Sequence, residues 1–214
     1  RRQRQMCIRD RDIVCDLGTG CGIIAVLMRL RYEPKQVYGV DIQPQAIEQF
    51  ELTVSRSGLK ETYPLLMDLK ALTNDAPLGR CDLVTCNPPY KAAKAGIESE
   101  LSAHKIARHE ILCNISDVCA AGNKLLKYGG RLCLCNRPER LADVMCAMRD
   151  NDIEPKYLRF VSKSPSDAPW LFLIEGRKGG GSFMQVLPQL YISGSGGISP
   201  ELAQIYGKTD ERTE

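Results

Sequence analysis

Within residues 85–92, TCNPPYKA, an amide, two prolines and an aromatic ring follow the apolar run CDLVTC. Proline has no backbone N–H, so Pro88 and Pro89 end a strand and leave a loop that offers mainly hydrogen-bond acceptors. The side-chain oxygen of Asn87 and the carbonyl of Pro88 together suit an NH₂ group, which has two donors. Tyr90 supplies a flat face on which a base can stack. The pattern predicts a site for a planar, conjugated amine, and an ordinary Pro-Pro turn is the alternative.

A second candidate site is the sequence DLGTGCG at residues 16–22, between the first predicted strand and the first predicted helix. Its three glycines allow a sharp turn and a close approach of the backbone to a ligand. Asp41 ends the next predicted strand, where a carboxylate can accept hydrogen bonds from both hydroxyls of a ribose. A tight turn with a helix-capping acid is the alternative. The acid one strand further on favours nucleoside binding, and the spacing G-x-G-x-G differs from the G-x-G-x-x-G of dinucleotide enzymes.

Alternating strand and helix patterns must position these two motifs. Short apolar runs predict strands at residues 12–18, 36–42, 62–67, 81–87, 131–137, 155–162 and 170–178. Helices are predicted at residues 21–32, 44–58, 102–130 and 138–152. The alternation indicates an α/β fold whose mostly parallel sheet carries helices on both faces. Ligands bind such sheets beyond the carboxyl ends of the strands, so we expect both motifs at one edge.

The composition limits the classes of protein to consider. The chain has 214 residues, 43% of them hydrophobic, which is enough for one core. No apolar run approaches the ~20 residues that span a bilayer, so we expect no membrane partner. The chain has two histidines, and none of its ten cysteines is spaced C-x-x-C, so we expect no metal site. Five of the ten cysteines lie in apolar, strand-like runs as small hydrophobes, which favours the reducing cytoplasm: Cys15, Cys81, Cys86, Cys133 and Cys135.

The two ends of the chain differ in composition from its middle. Residues 1–12, RRQRQMCIRDRD, hold five arginines and two aspartates, a net charge of +3 that equals the net charge of the whole chain. This string resembles translated read-through of a sequencing adapter and is predicted to be a non-native or disordered leader that packs on nothing. A basic arm that binds RNA is the alternative. Residues 13–178 are predicted to form the domain, and residues 179–214 a glycine-rich tail that docks through residues 183–192.

DLGTGCG resembles motif I of class I S-adenosylmethionine-dependent methyltransferases, and residues 87–90 match the NPPY motif of amino-group methyltransferases in full. This resemblance implies a Rossmann-like, mostly parallel seven-stranded sheet and S-adenosylmethionine as the cofactor. It implies that Asp41 holds the ribose, that Asp16 lies near the methionine amine, and that Asp68 contacts the adenine edge. A helix N-cap is an equal alternative for Asp68. The cofactor-binding residues so implied are Asp16, Gly18, Thr19, Gly20, Gly22, Asp41, Ile42 and Asp68.

Longer stretches are similar to the bacterial tRNA-valine adenine-37 methyltransferases, over about Asp12 to Gly207. They are residues 106–118, 129–141, 154–169 and 181–192. The resemblance implies tRNA as the partner and the exocyclic amine of an unpaired adenine beside the anticodon as the target. The chain departs from the family in two ways: Pro188 and Gln189 replace paired prolines of the tail, and the arginine-rich string replaces the segment before motif I.

Two other functions remain open on the sequence. A protein-glutamine methyltransferase also acts on an NH₂ group and would need the same acceptors. A non-catalytic S-adenosylmethionine-binding module has no need of two acceptors and a stacking ring, so the complete NPPY motif argues against it.

Several residues near the motifs are predicted to have structural roles. His109 is expected to be a partly buried helix histidine rather than a base. Trp170 and Phe172 are expected to pack in the core. Some arginines are expected to form solvated ion pairs with neighbouring glutamates rather than phosphate contacts: Arg108, Arg137 and Arg140, with Glu110 and Glu139.

Overall fold

A computed structural model describes residues 8–73, 78, 80–88, 114–194 and 197–207. Pro89, Tyr90, Arg108 and His109 lie outside the described residues, so the roles predicted for them stay predictions. Within the described ranges, no helix has the length and apolar character needed to cross a membrane.

In the described part of the chain, nine strands form one sheet in the order β3-β2-β1-β4-β5-β7-β6-β8, with β9 also paired to β6. Only β7 pairs antiparallel to its neighbours β5 and β6, while the other pairs in the sheet are parallel. The predicted Rossmann-like fold is confirmed. The strands are β1 Ile13–Leu17, β2 Gln36–Asp41, β3 Thr62–Leu66, β4 Cys81–Cys86, β5 Leu126–Asn136, β6 Ile153–Ser162, β7 Leu171–Lys178, β8 Gln185–Val186 and β9 Leu190–Tyr191, with a separate hairpin of β10 Ser193–Gly194 and β11 Gly197–Ile198.

The helices are α1 Ile23–Tyr32, α2 Pro44–Arg56, α3 Ile115–Leu125, α4 Leu141–Asp150 and α5 Pro200–Ile205, with short 3₁₀ helices at Leu69–Ala71 and Pro138–Arg140. Asn114 and Asp117 cap α3 reciprocally, each side chain accepting from the other's backbone N–H. The helix predicted at 102–130 is corrected at its carboxyl end. It stops at Leu125 because Leu126 already pairs with Cys81 of β4, and its first part lies outside the described residues.

Helices cover both faces of the sheet, as predicted. Alternate residues of β1 face opposite sides: Cys15 belongs to the main core with α3 and α4, and Val14 packs with Met28 of α1. Phe50 of α2 is fully buried against Val37 of β2 on the α1 side. The carboxyl ends of the parallel strands are therefore held from both sides, which positions the loops that follow them.

Part of the predicted leader is packed against the domain. Ile8 joins the apolar cluster beneath α1. Asp12 is buried and its Oδ2 lies 3.8 Å from Nη2 of Arg131. The expectation that the first twelve residues pack on nothing is therefore wrong for residues 8–12, because an apolar side chain and a carboxylate among them have buried partners.

The tail docks on β6. Gln185 and Leu190 pair with Tyr157 and Val161, which extends the seven predicted strands to nine. The Nζ of Lys156 donates to three successive backbone carbonyls, those of residues 181–183, at 2.7 to 3.0 Å. The tail is thus held by both strand pairing and the hydrogen bonds of the Lys156 ammonium group.

Two further tail contacts lie near the carboxyl end of β6. Nε of Arg159 donates to the carbonyl of Pro188 at 2.8 Å. Gln189, at the position where the family has a second proline, donates from Nε2 to Oγ of Ser162. The departure from paired prolines is therefore compatible with a docked tail.

Candidate functional site

The glycine turn after β1 has the backbone that its sequence requires. Gly18, Gly20 and Gly22 have φ values of 65°, 56° and 85°, which L side chains rarely adopt. A Cβ on Gly22 would lie 2.2 Å from the ring of Phe50. The N–H of Thr19 donates to the carbonyl of Val40 at 3.0 Å, which holds the turn against the end of β2.

Asp41, the last residue of β2, is held in place by this turn. Its Oδ2 accepts from the N–H of Gly20 at 2.8 Å, and its Oδ1 accepts from the N–H of Gln43 at 2.9 Å. A carboxylate has about four acceptor positions. Each oxygen therefore keeps acceptor capacity for a second donor, such as a ribose hydroxyl.

Asp16 is a buried carboxylate with one open oxygen. Only 1% of the residue is exposed. Its Oδ1 accepts from Oγ1 of Thr85 at 2.6 Å, whereas Oδ2 has no hydrogen-bond partner in the described part of the chain, nor has Oγ1 of Thr19. Burial raises the pKa of Asp16 from 3.8 to about 6, and the hydroxyls of Thr85 and Thr19 act in the opposite direction, although Thr19 lies outside hydrogen-bond geometry. A buried carboxylate of this kind suits an ammonium group, which would satisfy the open oxygen.

Apolar side chains lie beside Asp41. Ile42 is 42% exposed and Leu66, at the end of β3, is 55% exposed. The N–H of Met67 donates to the carbonyl of Asp41 at 2.9 Å, so the ends of β2 and β3 are joined. These surfaces can cover an adenine ring. Together with the two carboxylates and the turn, the arrangement fits a nucleoside that carries an amino acid, such as S-adenosylmethionine.

Asp68 caps the 3₁₀ helix that follows β3. Its Oδ1 accepts from the N–H of Lys70 at 2.9 Å, and the side chain also has part of its surface open. Asp68 therefore acts as a helix N-cap, which confirms the alternative that the sequence offered. A contact with the adenine edge stays a prediction.

Asn87 follows β4 at the same edge as the glycine turn. Cys86 pairs with Leu17 of β1, so the residues after these two strands are neighbours. The Oδ1 of Asn87 accepts from Sγ of Cys135 on β5 at 3.0 Å. Asn87 is exposed and Pro88 is half-buried. The structure thus places Asn87 at the same edge of the sheet as Asp16 and Asp41, whereas Pro89 and Tyr90 lie outside the described residues.

Sequence reasoning missed Thr85 and Cys135. Thr85 contacts Asp16 across 69 positions of sequence, and Cys135 contacts Asn87 across 48. Both contacts depend on the register between neighbouring strands. Their only sequence signal is a polar or thiol side chain near the end of an otherwise apolar strand.

The prediction for Trp170 is wrong, and that for Phe172 is confirmed. Phe172 is fully buried, whereas Trp170 is 51% exposed. The pairing of β7 with β6 begins at Leu171, so Trp170 stands just beyond the paired sheet. The backbone N–H of Trp170 donates to the carbonyl of Val161 at 3.1 Å. This contact anchors the backbone, while the indole ring stays at the surface.

The arginines after β5 form exposed ion pairs, as predicted. Nη1 of Arg137 lies 4.0 Å from Oε1 of Glu139. Arg140 pairs instead with Asp143, at 2.8 Å from its Nε. Over the described ranges, His, Cys, Asp and Glu form no group of three or more suited to a metal ion.

Among the described strands of the sheet only β7 runs antiparallel to its neighbours, a glycine turn follows β1, and a carboxylate ends β2, which is the arrangement expected of a Rossmann-like, nucleoside-binding domain. Residues 4–145 match the model of the methyltransferase small domain, and the chain belongs to that family. S-adenosylmethionine is its cofactor.

Curated relatives include enzymes with two kinds of substrate. The tRNA1(Val) (adenine(37)-N6)-methyltransferase of Porphyromonas gingivalis is 27% identical over 165 residues, which cover 76% of this chain and 64% of the relative. The release factor glutamine methyltransferase of Chlorobaculum tepidum is 27% identical over 144 residues, covering 63% of this chain and 49% of the relative. The chain thus spans less than two thirds of the length of these relatives.

Solved structures share the fold. A predicted O-methyltransferase from Agrobacterium tumefaciens superimposes with a TM-score of 0.75 at 16% identity, over 96% of this chain and 93% of that one. At this identity the likeness concerns the fold and says nothing about the methyl acceptor.

Proposed function

We propose that this chain transfers the methyl group of S-adenosylmethionine to the exocyclic amine of an unpaired adenine in tRNA, at position 37 beside the anticodon. The observation that carries the proposal is the placement of Asn87 and Pro88 after β4, beside the glycine turn after β1. The relative from Porphyromonas gingivalis, which is named for this reaction, supports the choice of substrate.

S-adenosylmethionine, when bound, supplies a methyl group that its sulfonium makes electrophilic. In the proposed site Asp16 receives the ammonium at its open Oδ2, and Asp41 accepts from the ribose hydroxyls while Gly20 and Gln43 keep its carboxylate oriented. Ile42 covers the adenine. The chain thereby fixes the direction from which an acceptor must approach.

Asn87 and Pro88 hold the amine that receives the methyl group. The lone pair of a conjugated NH₂ is delocalised, which makes the nitrogen a poor nucleophile. Two aligned acceptors favour a more pyramidal nitrogen and stabilise the positive charge that develops on it. The methylated nitrogen can lose its proton afterwards, so no strong base is required, and positioning supplies much of the remaining rate. Tyr90 is proposed as the face on which the target base stacks.

Cys135 contributes to this site by holding Asn87. The thiol donates to Oδ1, which leaves that oxygen a further lone pair for the substrate amine. The contact fixes the orientation of the amide and therefore the position of its acceptor oxygen. We assign Cys135 as a positioning residue, because it acts through Asn87.

The alternative substrate is a glutamine carboxamide, which also presents a planar NH₂. The relative from Chlorobaculum tepidum, named for glutamine methylation, supports it. Two acceptors after β4 suit the exocyclic amine of adenine and the carboxamide NH₂ of glutamine equally well. An assay of methyl transfer therefore has to identify the substrate.

The test is transfer of tritium from labelled S-adenosylmethionine to bulk tRNA, followed by digestion and nucleoside analysis. We expect label on the exocyclic nitrogen of adenine, and hardly any on a duplex in which every adenine is paired, because flipping a paired base costs a few kcal/mol. Asn87→Ala is the control for a contaminating activity. Label on a protein glutamine, with tRNA untouched, would replace the tRNA proposal with the glutamine alternative.

A further inference from the structure

Trp170 is the only tryptophan of the chain, and 51% of it is exposed. Single exposed apolar residues are common on proteins and need no function. The position of this one is distinctive, because it precedes β7, which is antiparallel and therefore begins at the edge where the parallel strands end. That is the edge that holds Asn87 and the cofactor site.

Cationic side chains lie on both sides of Trp170. The order β5-β7-β6 makes these strands neighbours. Arg137 directly follows β5, and exposed Lys163 directly follows β6. The side chain of Arg137 is 51% exposed, and its 4.0 Å ion pair with Glu139 is long. The loop between β6 and β7 also carries Asp167, which accepts from Oγ of Ser164 at 2.5 Å.

The strand registers give the separation between Trp170 and the acceptor site. Asn87 contacts Cys135, and Cys135 is opposite Leu173 of β7. Trp170 is therefore two strand spacings from Asn87, about 10 Å, and three residues further along the strand direction, about another 10 Å. A base held at Asn87 and a base at Trp170 would belong to nearby nucleotides of one strand.

We propose that Trp170 is a stacking platform for an unpaired nucleotide that flanks the methylated adenine of the tRNA, with Arg137 and Lys163 beside the RNA backbone. The inference rests on the proposed function and adds the part of the protein that holds the rest of the anticodon loop. Single-stranded RNA is read largely by stacking on aromatic rings, and every base has a face that can stack.

The charge of the chain favours such a platform. Residues 13–214 have no net charge, since residues 1–12 account for the whole +3. Glu139 pairs with Arg137, and Asp167 lies in the same loop as Lys163. Phosphate attraction is therefore weak, and affinity for RNA must come mainly from base contacts.

The experiment uses the fluorescence of the sole tryptophan. A stem-loop with the anticodon loop of the substrate tRNA is titrated into the full chain, and binding is followed in parallel by anisotropy of a label on the RNA. We expect saturable quenching of Trp170 with the same midpoint as the anisotropy change. S-adenosylmethionine alone should give little quenching.

Variants separate stacking from other effects. Trp170→Ala should weaken the RNA complex about tenfold or more, and Trp170→Phe much less, because the smaller ring still stacks. S-adenosylmethionine affinity should be unchanged in both. Phe183→Ala is the matched control: Phe183 is 91% exposed but precedes β8, near the amino end of β6, and its loss should change nothing.

Saturating RNA binding without any change in tryptophan fluorescence would overturn the inference, as would equal RNA affinity of Trp170→Ala and the parent chain. If the parent chain leaves tRNA unmethylated, the proposed function itself has failed. A loss confined to methylation of a glutamine peptide in Trp170→Ala would make the platform a protein-binding surface instead.

Discussion

Replacing Asp16 by asparagine tests the cofactor site most directly. Burial raises the pKa of this carboxyl from 3.8 to about 6. A tenfold change in an acid constant corresponds to about 1.4 kcal/mol, so the charged carboxylate destabilises the folded apoprotein by about 3 kcal/mol at neutral pH. That destabilisation is present above pH 6 and is relieved as the pH falls from about 6 towards 3.8, because the folded state then binds the proton that the unfolded state does not.

Asp16→Asn removes the charge and keeps an oxygen that can accept from Thr85. We expect the apoprotein to become more stable at pH 7.5, by up to about 3 kcal/mol less the cost of any unpaired amide N–H. The gain should shrink as the pH falls through 6. Affinity for S-adenosylmethionine should fall tenfold or more, since its ammonium loses a charged partner. In the parent chain, affinity should likewise fall as the pH drops below about 6.

The assays are urea unfolding of the apoprotein at pH 7.5 and pH 5, and calorimetric titration with S-adenosylmethionine. Asp150→Asn, at the exposed end of α4, is the matched control and should shift stability by well under 1 kcal/mol. If Asp16→Asn binds S-adenosylmethionine as tightly as the parent chain, the ammonium is held elsewhere. If Asp16→Asn is less stable than the parent chain at pH 7.5, burial of the charged carboxylate does not destabilise the apoprotein, and that part of the reasoning is refuted.

Three other variants test separate contacts. Asn87→Ala should lower turnover about a hundredfold or more with S-adenosylmethionine affinity nearly intact, because one preorganised acceptor is lost; unchanged turnover would refute its role. Cys135→Ala should lower turnover several-fold without changing the KM for S-adenosylmethionine, and Cys135→Ser, which keeps a donor, should restore most of it; equal turnover of the two variants would mean that the thiol contact is incidental. Gly22→Ala should destabilise the fold by about 2 kcal/mol or more in urea unfolding, since its φ is 85° and a Cβ would lie 2.2 Å from Phe50; Gly181→Ala, where a Cβ meets no atom within 4 Å, is the control and should be nearly neutral.

Elements whose pattern is local were predicted well. Six of the seven main strands are apolar runs bounded by glycine, proline or charge, and each begins and ends within two residues of its predicted bounds. The exception is β5, which begins at Leu126, five residues before its predicted start. The carboxyl end of α3 was predicted too far along the chain. Residues 125–130, LLKYGG, continue the helical pattern and end in the glycines typical of a helix stop. Only the pairing of Leu126 with Cys81, 45 positions earlier, shows that the strand has already begun.

The residues of the candidate site likewise fall into those with a local sequence signal and those whose contacts depend on strand register. The glycine turn and Asp41 have characteristic spacing, so sequence alone placed them at one edge. Thr85 and Cys135 act through neighbouring strands, and their contacts follow from register. Trp170 was misplaced because an aromatic residue at the start of an apolar run resembles core, whereas its exposure depends on where the pairing of β7 begins.

The order of the strands also explains how one edge can serve two ligands. The cofactor residues follow β1 and β2, while Asn87 follows β4 on the other side of β1. The strands beyond β4 are β5, β7 and β6, and the loops at their ends carry Arg137, Trp170 and Lys163. Because β4 lies between these two groups of strands, a base held at Asn87 has the methyl donor on one side and the proposed RNA platform on the other. In the proposed complex the RNA would extend from Asn87 towards Trp170, away from the methyl donor, and exchanging Asn87 for a residue without an acceptor should separate RNA binding from methyl transfer.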